Sequence, residues 1–190
     1  MSHQSNPNEL KALTTGYSQM IEDRTQAGWS SDLVTILFDR MNGSQSGLIS
    51  QMRGQIQRVY STLVTRVHRK PKTAPTDQLP LVIGAFDLPV YKKDRTSAPM
   101  VYLNEGLHFH GVLMVPPNSR LKEDVADHFA TNSKLYRGNS CGVGRIDVRP
   151  IIHNQGYVLD YVLKTIGNHG LSYDDAIVVL PRARAELSGY

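Results

Sequence analysis

Residues 107–113 read LHFHGVL, and residues 156–164 read GYVLDYVLK. In the first stretch His108 and His110 stand one residue apart inside an apolar run. Side chains alternate along a strand, so both imidazoles share a face with Val112 and Met114, while Leu107, Phe109 and Leu113 take the other. Such neighbours lie about 6–7 Å apart along the strand, close enough to converge on one cation. That cation needs at least one more ligand. Asp87, in GAFDLPV, has the parity of Leu81, Ile83 and Ala85, and would face the pair from a hairpin partner. Glu105, at a bend just before the histidines, is the alternative. A mixed nitrogen and oxygen donor set with open positions suits Mg²⁺ or Mn²⁺ better than a closed structural zinc site.

The second stretch carries Tyr157 and Tyr161, four residues apart, with Lys164 three residues on. On a helix these positions share one side, so two phenols and an ammonium are presented together while Val158, Leu159, Val162 and Leu163 pack inward. A phenol is a poor nucleophile at its free pKa of about 10. It becomes competent when a metal polarises a phosphate and a nearby cation offsets the developing charge. Attack on DNA by such a tyrosine gives a phosphotyrosine link to a 5′ end. That link keeps the energy of the phosphodiester, so the strand can be rejoined, and a second tyrosine permits a second transfer before the first is released.

The chain that must position these groups has 190 residues, which suits one domain, and is 40% hydrophobic, enough for a sizeable core. Its net charge of +4 favours an anionic partner such as nucleic acid. A lone cysteine, Cys141, excludes a disulfide framework and a cysteine-based zinc site, and fits a reducing compartment. The start, MSHQSNPNELKAL, lacks the apolar core of a signal peptide, and no apolar run approaches the ~20 residues of a membrane span. The expectation is a soluble, cytoplasmic protein with no membrane partner.

Residues 1–30 are polar and mixed and read as an extension, with a short helix after Asn8. SDLVTILFDRM (31–41) reads as a strand. Leu48, Met52, Ile56, Val59, Leu63 and Val67 recur at spacings of three and four and predict a helix over 47–69, capped by Ser44 or Ser46. Strands are predicted over 79–93 and 100–117, the latter bent at Glu105-Gly106. A helix is predicted over 119–130 with a capping serine, a strand over 145–151, and a helix over 154–166. Residues 171–190 read as a tail with a short apolar segment and a basic stretch. The first six of these elements give β-α-β-β-α-β, the ferredoxin-like α+β arrangement, with an antiparallel sheet and helices packed on one face. The domain carrying the chemistry is expected over 31–170.

Together the two stretches resemble the HUH endonucleases, and among them the rolling-circle replication initiators. His108-Phe109-His110 matches the family's His-hydrophobic-His strand. YVLDYVLK resembles its Tyr-x-x-x-Tyr helix, and Tyr161 with Lys164 also satisfies Tyr-x-x-Lys. VTILF (34–38) is a loose match to the family's Thr-rich upstream strand, with Thr35 but no second threonine. The resemblance spans roughly residues 30–166. It implies site-specific nicking of single-stranded DNA, or of an origin hairpin, through a 5′-phosphotyrosine intermediate. It also implies a divalent metal on His108, His110 and a carboxylate from the preceding strand, the place of Asp87. Lys164 would orient the phosphate, and Tyr161 is the preferred first nucleophile because it lies in both tyrosine patterns.

Under that resemblance, basic residues hold the DNA backbone. The candidates are Arg145 and Arg149, Lys92 and Lys93, and Arg182 and Arg184 in the tail. No Walker-type phosphate loop follows, so a separate host or phage helicase would unwind the duplex. Relaxases place the tyrosine before the histidines, which disfavours that branch; a transposase of the same chemistry and a non-cleaving DNA-binding protein remain as alternatives. Val112 stands where a third alternating histidine would be, which sets aside a histidine-triad transferase. There is also no pair of separated His-x-Thr/Ser motifs for a two-histidine phosphodiesterase.

Overall fold

The computed structural model of the chain describes residues 7–87, 103–104, 106–137, 142–152, 155–163 and 176–182. Its elements are α1 (Pro7–Gln26), β1 (Ser30–Phe38), α2 (Gln45–Val67), β2 (Leu81–Asp87), β3 (His108–Val115), α3 (Val125–Thr131), α4 (Ser133–Arg137), β4 (Val143–Pro150), α5 (Gln155–Leu163) and β5 (Ile177–Leu180). The five strands form one antiparallel sheet in the order β4-β1-β3-β2-β5. Helix α2 carries the chain from β1 over the place that β3 then fills, and α3 and α4 carry it from β3 over β1 to β4. The first four strands and their crossovers thus form the ferredoxin-like α+β core.

α2 forms where its apolar residues recur at helical spacing, and Leu48, Met52, Ile56, Val59, Leu63 and Val67 are all buried. Its N-cap is Ser44, whose hydroxyl accepts from the Gly47 N–H at 3.3 Å. β2 is buried at every position, as expected of a strand covered on both faces. One face of the sheet, with Val34, Ile36, Phe38, Phe86, Phe109 and Leu113, packs against α2, α3 and α4. The other face, with Leu81, Ile83, Ala85, Val112 and Met114, packs against α1 and α5 through Ile21, Leu159, Val162 and Leu163. Each fully buried aliphatic or aromatic side chain among these contributes about 1.5–3 kcal/mol of transfer free energy.

The second helical layer is a difference from the predicted single layer. Strands with apolar side chains on both faces need cover on both, and α1 and α5 provide it. The N-terminal extension accordingly holds a 20-residue helix rather than a short one. The apolar segment of the tail is β5, which pairs with β2 from Val82↔Leu180 to Ala85↔Ile177 and closes what would be an open edge. The helix predicted over 119–130 begins instead at Val125. Before it, the Ser119 N–H bonds the Pro116 carbonyl and the Arg120 N–H bonds the Val67 carbonyl, so these donors are committed outside a helix; Ser119 Oγ accepts from Leu121 N within this turn. The predicted stretch from Asp87 to residue 93 continues into residues 88–102, which lie outside the described residues. Among the described residues no helix is long and apolar enough to cross a membrane.

Gly84 and Gly111 are paired across β2 and β3. A Cβ on Gly84 would land on the Phe109 ring and on the His110 carbonyl oxygen, and one on Gly111 would lie 2.9 Å from the same ring. The Phe109 ring therefore lies down over two positions that lack side chains.

Candidate metal centre and tyrosine helix

β3 carries both histidines. Its register with β2 sets Asp87 opposite His108 and Ala85 opposite His110, and its register with β1 sets Thr35 opposite His110. Directly opposed residues share a sheet face. Asp87, His108, His110 and Thr35 thus project together, on the face that α5 partly covers, while Phe109 enters the opposite core.

Asp87, His108 and His110 each offer a ligand atom, and these atoms all lie within 4.8 Å of one another, so the group could hold a metal ion. Two observations fit a cation. The Nε2 atoms of His108 and His110 stand 2.8 Å apart. Adjacent ligand atoms ~2.0–2.1 Å from an octahedral ion stand about 2.9 Å apart at a right angle. Asp87 is 6% exposed, and its Oδ1 is buried with no hydrogen-bond partner among the described residues. A buried carboxylate oxygen left bare is costly unless something positive meets it.

The histidines are oriented from behind. His108 Nδ1 lies 2.8 Å from the Gly106 carbonyl oxygen, which only accepts, so the proton sits on Nδ1 and the Nε2 lone pair points into the site. His110 Nδ1 lies 2.9 Å from the Thr35 hydroxyl. The turn before His108 is held too: Asn104 Oδ1 accepts from the Met41 N–H at 2.8 Å, and its amide donates to the Asp39 carbonyl at 2.9 Å. Gly106, at φ 79°, makes the bend that places His108 at the start of the strand.

α5 lays Leu159, Val162 and Leu163 on the sheet, all buried. Tyr161 falls on the other side of that stripe, 40% exposed, with its ring centroid 6.0 Å from that of His110 at an interplanar angle of 61°. The structure therefore brings one of the two tyrosines to the histidines. Tyr157 lies on the same helix one turn earlier, with its side chain outside the described residues. Lys164, Glu105, Lys92, Lys93 and Arg184 also lie outside the described residues.

Arg145 and Arg149 extend from β4 on the same sheet face as the histidines, because Asp147 between them opposes Thr35. Both are exposed, and both reach Asp147: Arg145 Nη2 at 3.4 Å from Oδ1 and Arg149 Nε at 2.9 Å from Oδ2. Asp147 offsets one of the two charges and leaves the triplet net positive. Arg182 is exposed beyond β5. The shared parity of Arg149 and Asp147 in the sequence allows their pairing, and the structure shows it. Sequence reasoning passed over Thr35 as a hydrogen-bond partner, because that depends on which strands neighbour β3.

Elsewhere, burial and the nearby Asp124 carboxylate raise Asp32, on β1, to a pKa of about 6. Asp32 belongs to the opposite face, away from the histidines, and is not part of the site. Comparison of the chain with family models, with curated proteins and with solved structures returns no match.

Proposed function

We propose that this chain is a metal-dependent DNA strand transferase of the HUH type, a nickase that starts rolling-circle replication of a plasmid or phage. The observation that carries this reading is the Tyr161 ring set against His110, beside a buried Asp87 oxygen with no hydrogen-bond partner among the described residues. Metal ligands alone would suit many hydrolases; a half-exposed phenol at the ligand is what a tyrosine nucleophile requires.

His108, His110 and Asp87 would hold the cation. A divalent ion there, Mg²⁺ or Mn²⁺, supplies Lewis-acid polarisation of a phosphate oxygen when bound. Tyr161 Oη attacks the scissile phosphorus, a tyrosine O–P bond forms, the bond to the 3′ oxygen breaks, and the strand leaves with a 3′ hydroxyl. The phenolic proton is passed to solvent, which the exposure of Tyr161 permits, and the departing 3′ oxygen takes one back. Reversal by an incoming 3′ hydroxyl rejoins the strand. Tyr157, one turn earlier on the same helix, would act in a second transfer. Arg145 and Arg149 offer salt-sensitive contacts to the phosphates of single-stranded DNA or an origin hairpin approaching across β4. A separate helicase would open the duplex.

The test is a denaturing gel with Mn²⁺ and single-stranded DNA drawn from the genetic element that encodes the chain. The expected result is a slower, nuclease-sensitive protein band that is lost with Tyr161→Phe. Binding without any adduct would replace this reading with a non-cleaving DNA-binding protein. Cleavage that survives Tyr157→Phe/Tyr161→Phe would replace it with a hydrolase that uses the histidines alone.

A further inference from the structure

Both imidazoles must turn an Nε2 lone pair to a shared cation, yet their backing partners differ. The Gly106 carbonyl behind His108 accepts only, so it holds His108 in the ready tautomer at all times. The partner behind His110 is the Thr35 hydroxyl, which both donates and accepts. The 2.8 Å separation of the two Nε2 atoms makes this difference matter. Two lone pairs do not bond to each other. With His108 Nε2 as acceptor, the hydrogen bond requires a proton on His110 Nε2. His110 Nδ1 is then bare and accepts from the Thr35 O–H.

We propose that Thr35 is a positioning residue that lets His110 exchange one tautomer for the other as the site fills. Without a cation, Thr35 donates to His110 Nδ1, and His110 Nε2–H closes onto His108. With a cation, the proton moves through solvent from Nε2 to Nδ1, and Nδ1–H donates to the same oxygen. The net charge does not change, the ring does not turn, and only the hydroxyl hydrogen rotates. A carbonyl in place of Thr35 would oppose the first state, and a methyl would remove the Thr35 hydrogen bond to Nδ1 in both. This inference rests on the metal reading of the site.

The variants are Thr35→Val, which keeps the volume and β-branching of a central-strand residue, and Thr35→Ser, which keeps the hydroxyl. Mn²⁺ binding is measured by titration calorimetry on the full chain. The expected result is a loss of about 10–100-fold in affinity for Thr35→Val, the range for removing a backing partner, with recovery in Thr35→Ser. Two-bond ¹H–¹⁵N spectra of the unsubstituted chain supply a readout that needs no variant: the His110 proton is expected on Nε2 without metal and on Nδ1 with Mg²⁺, with His108 on Nδ1 throughout. Thr35→Val binding Mn²⁺ as tightly as the unsubstituted chain, or a His110 Nδ1 proton before metal is added, overturns the role of Thr35 alone. No Mn²⁺ binding by the unsubstituted chain overturns the metal reading, and this inference with it.

Discussion

His128, on α3, is backed on both sides. Its Nδ1 lies 2.8 Å from a Glu123 carboxylate oxygen and its Nε2 lies 2.8 Å from the Tyr136 hydroxyl. Burial pushes the Tyr136 phenol up, which keeps it a neutral donor, and the hydrogen bond from His128 holds Glu123 below its usual range. The chain runs from Tyr136 O–H to Nε2 and from Nδ1–H to the carboxylate. His128 is 3% exposed, and both ring nitrogens are spoken for. His108 and His110, on the other face of the sheet, are half-buried, point their Nε2 atoms at each other, and sit beside a carboxylate oxygen with no hydrogen-bond partner among the described residues. The residue types are nearly the same: histidine, acid, tyrosine. One cluster is saturated and locks α3 to α4. The other turns two Nε2 atoms toward one space beside Asp87 Oδ1, which has no hydrogen-bond partner among the described residues. What separates the two clusters is the acid and the burial rather than the residue types: the Glu123 carboxylate is bonded to a buried imidazole, while Asp87 Oδ1 has no hydrogen-bond partner among the described residues and lies beside two half-buried ones.

His110→Ala is the strongest way to break the comparison. Strand-nicking is expected to fall at least ~10³-fold, about 4 kcal/mol of transition-state stabilisation, while metal-free thermal unfolding changes little. His128→Ala is expected to do the opposite. It strands the buried Tyr136 hydroxyl and leaves a cavity beside Phe129, so chemical denaturation should show a loss of about 2–4 kcal/mol, and Mn²⁺ affinity should stay the same. If His128→Ala lowers Mn²⁺ affinity in folded protein, the two clusters are coupled and the contrast fails.

Two acids sharpen it further. Asp32 is 4% exposed with a pKa raised on folding from 3.8 to about 6. An acid raised on folding lends stability that is full below about pH 4 and lost as pH climbs through about 6. Asp32→Asn is therefore expected to gain about 1–3 kcal/mol at pH 8 relative to the unsubstituted chain, and almost nothing at pH 4. Denaturant midpoints across that range would show it. Asp87→Asn gives the smallest change and one whose sign depends on metal. Without metal, replacing a charged oxygen that has no partner should raise stability by about 0.5–1 kcal/mol. With Mn²⁺, the unsubstituted chain is expected to unfold at a higher temperature, and the variant is expected to lose that rise.

Much of this was legible in the residues. The long apolar period of α2, the alternation around Phe109 and the order of elements suffice for the ferredoxin-like core, because each is a local pattern repeated over many residues. The proximity of Asp87 to the histidines was legible from parity, since adjacent strands in a hairpin share faces. β5 was not, because four apolar residues state no partner, and only the free edge of β2 explains them. The full length of α1 and its packing on the sheet were missed because, among its described residues, only Ile21 is fully buried, so its sequence hardly departs from a solvated segment. The ties of Thr35 to His110 and of Glu123 and Tyr136 to His128 depend on which side chains meet in space, and spacing along the chain does not carry that.

The Phe109 ring resting over Gly84 and Gly111 guards the reading frame of the sheet. Side chains repeat every two residues along a strand, so a slip of β3 by one place would turn Phe109 toward Thr35 and bury both imidazoles. The slipped pairing would keep its backbone ladder, so hydrogen bonds alone reject it weakly. The ring rejects it strongly, because only where glycine faces glycine is there room for it to lie flat. Two residues with no side chain thereby act as a proofreading notch for a site in which neither takes any chemical part.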